Sequence, residues 1–150
     1  MQNTINQLEH ILEEYSPMLA QIPDAAFAAK PLPHKWSKKE ILGHLVDSAQ
    51  NNIRRFVVAQ YEDTPTIKYA QDNWVAAADY QHYNTNDLVS LWILLNKHAC
   101  FVLANMSPAI AERICDTGQL NTLEWIAGDY NKHLLHHLHQ ILDLEEVPYP

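Results

Sequence analysis

The amino-acid sequence predicts an all-helical bundle, on three observations. Four segments carry apolar residues at helical spacing, two of them open on a helix-capping pattern, and only 3 glycines occur in 150 residues. A β fold of this size needs many tight turns and the glycines that make them. Hydrophobic residues make up 47% of the chain, enough for one core, so residues 1–150 read as a single domain.

The first helix spans roughly residues 4–22, with Ile5, Leu8, Leu12, Tyr15 and Leu19 on one stripe, and Pro23 stops it. Residues 23–36 contain Pro31 and Pro33 and read as a connector. The second helix opens at Ser37, where Ser37-Lys38-Lys39-Glu40 forms a capping box in which each side chain satisfies the other's backbone N–H. It runs to about Gln60 with Ile41, Leu42, Leu45, Ala49, Ile53 and Phe56 inward. Residues 61–85 read as a long irregular stretch, either a crossover along the bundle or a lid over a site. A crossover lets the second and third helices run parallel. The third helix spans about residues 86–106 with Leu88, Leu91, Leu95, Ala99 and Val102 inward. After a connector, the fourth starts near Asn121, with Glu124 as a second capping-box partner, and runs to about Leu144.

The formal net charge is −8 and no Lys/Arg run occurs, which argues against nucleic-acid and membrane-surface partners. Cys100 and Cys115 are too few for a disulfide framework and read as thiols in a reducing compartment. The first residues lack a basic cluster, so they do not read as a secretory signal. No apolar run approaches the roughly 18 residues of a membrane span. A cytoplasmic location is the expectation.

Histidine is the unusual residue. Nine occur, and His133, His136, His137 and His139 fall on the fourth helix. The inward stripe there is Leu123, Ala127, Tyr130, Leu134, Leu138 and Ile141. His137 lies about 45° from its centre and His133 about 85°, whereas His136 and His139 lie about 150° away, towards solvent or a partner. The i, i+4 pair His133 and His137 stacks two imidazoles on one face, so both can reach one metal ion. No Glu-x-x-His occurs, which argues against a di-iron carboxylate site. A third ligand must come from another helix. Periodicity favours His98, about 50° from the centre of its stripe, over His44, about 130° out at the head of a polar row of Ser48, Asn51, Asn52 and Arg55.

The segment Trp36-Ser37-Lys38-Lys39-Glu40-Ile41-Leu42-Gly43-His44-Leu45, with Asp47 and Ser48, resembles the second-helix motif of the DinB-like superfamily. His133-Leu134-Leu135-His136-His137-Leu138-His139-Gln140-Ile141 resembles that family's closing motif. Order and spacing agree along essentially the whole chain. The resemblance implies a four-helix bundle of up-down-down-up topology with a long crossover between helices two and three. It also implies a mononuclear metal site of His44, His133 and His137, against the periodicity that favours His98. Members include proteins described as metal-dependent hydrolases and thiol S-transferases, so a small-molecule substrate is implied, a low-molecular-weight thiol among the options.

Three neutral imidazoles match the catalytic pattern of zinc, the favoured cofactor, with nickel close behind. Such an ion generates hydroxide for hydrolysis or a thiolate for transfer. Glu40 is occupied by its capping box, and Asp129 reads as base, partner of a ligand or solvated residue. With no carboxylate clearly placed as base, thiol transfer is expected at least as strongly as hydrolysis. Arg55 and its polar row read as an anchor for a small thiol or as a solvated face. A metal-binding stress protein or sensor without turnover is the alternative. Trp125, Leu135, Val89 and Ile93, off the core stripes, suggest a homodimer.

Overall fold

The computed structural model describes residues 1–149. The chain passes through α1 (Gln2–Ala20), α2 (Asp24–Ala28), α3 (Lys38–Val58), α4 (Gln71–Ala78), a 3₁₀ turn (Tyr80–His82), α5 (Thr85–Ala104), α6 (Pro108–Ala111), β1 (Ile114–Asp116), β2 (Leu120–Thr122) and α7 (Leu123–Leu142). The four long helices α1, α3, α5 and α7 form a bundle in which α1 and α3 each pack against both α5 and α7. The start of α3 meets the end of α7 through Lys38 and Asp143, so these two helices run antiparallel.

The stripes read for α1 and α7 are buried throughout: Ile5, Leu8, Leu12, Tyr15 and Leu19 on one, Leu123, Ala127, Tyr130, Leu134, Leu138 and Ile141 on the other. The Ser37 capping box is present, with Ser37 Oγ accepting from the Glu40 amide and Glu40 Oε2 accepting from the Ser37 amide. The start of α7 differs from expectation. Asn121 lies in β2, the cap is Thr122, whose hydroxyl accepts from the Trp125 amide, and Glu124 pairs with the N-terminal amine. The connector before α7 folds into the antiparallel β1–β2 hairpin, and Gly118 takes the positive φ of +115° that its turn requires.

The crossover is structured and covers α3. The Tyr80 side chain packs against Gly43, where a Cβ would stand 2.1 Å from a ring carbon, so only glycine admits it without a shift. The Tyr80 hydroxyl donates to Asp47, and Arg55 donates to the Ile67 carbonyl through Nε and Nη2. Lys39, itself buried, donates to the Tyr83 carbonyl and to Asp24. As a result every residue from Ile41 to Ala49 is buried, polar ones included.

On α5 the buried line is Leu88, Trp92, Asn96, Ala99 and Leu103; Leu91, Leu95 and Val102, expected inward, are only half-buried. The stripe is rotated because Asn96 occupies the core, donating to the Trp92 carbonyl and accepting from the Tyr130 hydroxyl at 2.7 Å. Val89, expected off the core, is buried, whereas Trp125 is exposed. By length and composition α5 is apolar enough to cross a membrane, which corrects the reading that no segment approaches a span. Its apolar residues continue past Asp87 and Lys97, and it packs as a bundle helix against α1 and α3.

Candidate metal centre

Three imidazoles meet between α3 and α7. His44 sits in the second turn of α3, and His133 and His137 lie one turn apart on α7. Ring centroids are 4.9 Å apart for His44 and His133, 5.0 Å for His44 and His137, and 4.7 Å for His133 and His137. The Nε2 atoms of His44 and His133 stand 3.0 Å apart. One nitrogen from each of the three lies within 4.8 Å of the others. Two nitrogens each at 2.0–2.1 Å from one ion stand roughly 2.9–3.4 Å apart for bond angles between 90° and tetrahedral.

Hydrogen bonding assigns the ring proton most directly on His137. His137 Nδ1 is 3.0 Å from Gln140 Oε1, which can only accept, so Nδ1 carries the proton and Nε2 keeps its lone pair. His133 Nδ1 faces Ser48 Oγ at 3.4 Å. Trp36 stacks against His44, with centroids 5.4 Å apart, and His44 Nδ1 is buried without a partner among the described residues. Burial, with the neighbouring imidazoles adding to it, pushes His133 down to about 2 and His44 down to about 4. His137 is lowered by the same burial. All three are therefore neutral at neutral pH and offer lone pairs, the state a transition-metal ion requires. The donor set fits a divalent ion.

His98, the periodicity-based choice, is exposed on α5 and is not among the clustered imidazoles. The wheel assumed that a polar face is a solvated face, but α3 carries its polar face under the crossover, and His44 is 1% exposed. His136 and His139, expected towards solvent, are half-buried beneath the segment that follows α7.

A cavity of 440 Å³ opens beside His133 and His137. Ser48, Asn52 and Arg55 form one wall, so the polar row beyond His44 is not a solvated face; Ser48, Asn51 and Asn52 are buried. Arg55 commits three of its five N–H groups, two to the Ile67 carbonyl and one to Asn52 Oδ1. Asp129, on α7, also lines the cavity, its Oδ2 accepting from the Tyr149 hydroxyl at 2.8 Å. Sequence reasoning missed Tyr69 and Tyr149, which also line the cavity. Each is a lone tyrosine outside the long helices, with no periodicity to mark it. It also passed over Asp47, whose carboxyl burial raises to about 6 despite the Tyr80 hydrogen bond, with Oδ2 unpartnered among the described residues.

The chain resembles known proteins along most of its length. It is 32% identical over 115 residues to a protein of Oceanobacillus iheyensis named “Putative metal-dependent hydrolase”, covering 73% of this chain and 64% of that protein, under two thirds of its length. A Bacillus mycoides protein of the same name is 28% identical over 152 residues, covering 92% of this chain and 87% of that protein. Among solved structures, YfiT from Bacillus subtilis, described as a probable metal-dependent hydrolase with an unusual four-helix bundle topology, superposes with a TM-score of 0.85 at 22% identity, covering 95% of this chain and 83% of that one. A mycothiol-dependent maleylpyruvate isomerase superposes with a TM-score of 0.80 at 14% identity, covering 98% of this chain and 64% of that one. At these identities the superpositions establish the shared fold. The DinB superfamily model matches residues 7–141, and the chain belongs to that superfamily.

Proposed function

We propose that the chain is a metal-dependent enzyme acting on a small polar molecule, with His44, His133 and His137 holding one divalent ion through Nε2. One observation carries this reading: three neutral imidazoles, with one nitrogen from each within 4.8 Å of the others, stand together beside a polar cavity. Three neutral ligands are the set zinc uses for chemistry rather than for structure. Zinc is the favoured ion, with nickel next, because imidazole suits both. When bound, the ion supplies Lewis-acid chemistry, acidifying a water or a thiol.

The surrounding residues bind and orient. Arg55 keeps one N–H on each terminal nitrogen, a pair suited to a substrate carboxylate, and Ser48 and Asn52 present further polar atoms beside it. Asp129, one turn before His133 and on the cavity lining, is our candidate to take a proton from the nucleophile. Hydrolysis is the first reading, because Asp129 lines the cavity as a candidate base and because the relatives at 28–32% identity carry a hydrolase name. Thiol S-transfer is the second, favoured by Arg55 and its polar wall, which suit a carboxylate-bearing thiol.

Elemental analysis of the purified chain is expected to find about one ion per chain, and none in His137→Ala, because two imidazoles hold such an ion poorly. A full complement in that variant defeats the ligand set. The loaded chain is then assayed on ester, amide and lactone substrates, and separately on a chromogenic electrophile with low-molecular-weight thiols. Turnover without thiol supports hydrolysis, and turnover only with thiol supports transfer. Ion binding with no turnover in either assay defeats both of these reaction readings and favours the non-catalytic alternative.

A further inference from the structure

Two of the four histidines on α7 stand outside the cluster and hold something else. His136 Nδ1 lies 2.6 Å from the Val147 carbonyl, and His139 Nδ1 lies 2.6 Å from the Glu145 carbonyl. A carbonyl oxygen only accepts, so both imidazoles donate from Nδ1. His139 Nε2 in turn lies 2.8 Å from the Tyr15 hydroxyl. The chain reverses at Asp143, which takes a left-handed conformation with φ of +54°, and the Leu144 amide bonds back to the His139 carbonyl. Residues 144–149 are therefore clipped along α7 rather than leaving it.

The clips set the position of Tyr149. Its ring centroid lies 5.3 Å from that of His133 and 6.0 Å from that of His136. Its hydroxyl donates to Asp129 on the cavity wall. Little apolar burial holds the segment: Val147 and Tyr149 are half-buried, and Leu144, Glu145, Glu146 and Pro148 are exposed. Three polar contacts fix a tyrosine against a histidine of the cluster, and the family match, which ends at residue 141, does not extend to it.

We infer that residues 144–149 form a strap that seats Tyr149 as a specificity-determining residue, its ring limiting the depth open to a substrate beside His133. This rests on the reading that the cluster holds an ion and the cavity takes the substrate. A ring in that place admits small ligands and rejects bulkier ones on steric grounds, while the hydroxyl–Asp129 contact keeps the ring from swinging away.

The test uses the full chain and its Tyr149→Ala and Tyr149→Phe variants, loaded with Co²⁺ as a visible probe. Three thiols of rising size, 2-mercaptoethanol, dithiothreitol and glutathione, are titrated while the thiolate-to-cobalt absorption is followed. Tyr149→Ala is expected to bind glutathione about tenfold more tightly while 2-mercaptoethanol changes by less than about twofold, and Tyr149→Phe, which keeps the ring but loses the Asp129 contact, is expected to fall between Tyr149→Ala and wild type in size discrimination. A second readout needs no metal. Carbethoxylation of His133 in the metal-free chain, mapped by mass spectrometry, is expected to run about fivefold faster in Tyr149→Ala than in wild type. Unchanged size discrimination with an unchanged carbethoxylation rate overturns the strap. Loss of cobalt stoichiometry in Tyr149→Ala also overturns it, because Tyr149 is then a ligand and not a wall. A wild-type chain that takes up no cobalt defeats the metal reading alone, and the His133 rate still decides the strap.

Discussion

Helices α3 and α5 are neighbours in the bundle, and they reverse the usual relation between polarity and burial. Between Ile41 and Asn52, α3 carries His44, Asp47, Ser48, Asn51 and Asn52, and all five are buried. Helix α5 is apolar almost all round, yet Leu94 is 63% exposed and Phe101 68%. The difference lies in what covers each helix. The crossover lays α4, the 3₁₀ turn and Tyr80 over the outer face of α3, whereas nothing among the described residues covers the outer face of α5. Burial of a polar face requires partners or a task. Asn51 and Asn52 bond back to backbone carbonyls one turn earlier, Asp47 receives Tyr80, and His44 is left to the cluster.

The largest effect expected from this contrast concerns metal. His44→Ala, on the buried polar face, should abolish ion binding, and His98→Ala, exposed on the apolar helix, should leave it unchanged. Isothermal titration with Zn²⁺ decides between them, and loss of affinity in the His98 variant alone restores the periodicity-based choice. Next is packing. Trp92→Ala, fully buried on α5, should cost about 3–5 kcal/mol in urea unfolding, whereas Phe101→Ala on the same helix should stay within about 0.5 kcal/mol. Similar costs for the two would mean that the outer face of α5 is covered in solution.

A third prediction concerns Asp47 and pH. Its carboxyl is raised from 3.8 to about 6 in the folded chain, chiefly by burial. Well below pH 3.8 both folded and unfolded states are protonated, so no penalty applies there. Between pH 4 and 6 the unfolded chain ionises first, stability falls, and the cost levels off above pH 6 at about 3 kcal/mol. Asp47→Asn, which keeps an acceptor for Tyr80, should flatten that slope and raise stability at pH 7. An unchanged slope in unfolding experiments across this window would show that another group carries it.

The smallest effect tests the cover itself. Gly43→Ala drives a Cβ into the Tyr80 ring, and overpacking of this kind costs about 1–3 kcal/mol. Hydrogen exchange in residues 71–82 should rise together with the loss of stability. A destabilised variant with unchanged exchange there would show that α3, not the crossover, absorbs the strain.

The helices of this chain were legible wherever apolar spacing and burial coincide. On α1 and α7 each residue read as inward is buried, and the Ser37 cap lies where Ser37 and Glu40 predict it. On α5 the same method misplaced the stripe, because leucine, isoleucine and valine surround the helix and the core position falls to Asn96, counted as polar. The i, i+4 spacing of His133 and His137 was visible on the wheel, and the structure sets those rings 4.7 Å apart. His44 came only from the resemblance of the Trp36–His44 motif. Nothing in the periodicity of α3 says that a crossover more than twenty residues away will seal its polar side.

Local order, then, was determined by the sequence: the caps, the helical periods and the pairing of two imidazoles on one face all arise from interactions within a few residues. The tertiary structure alone decided which polar residues are buried, that Asp129 and Arg55 face one cavity, and that Tyr149 returns to the cluster. These are contacts between segments distant along the chain, made when the crossover and the strap close over α3 and α7. A helical period records which residues share a face, but it carries no information about what that face will meet.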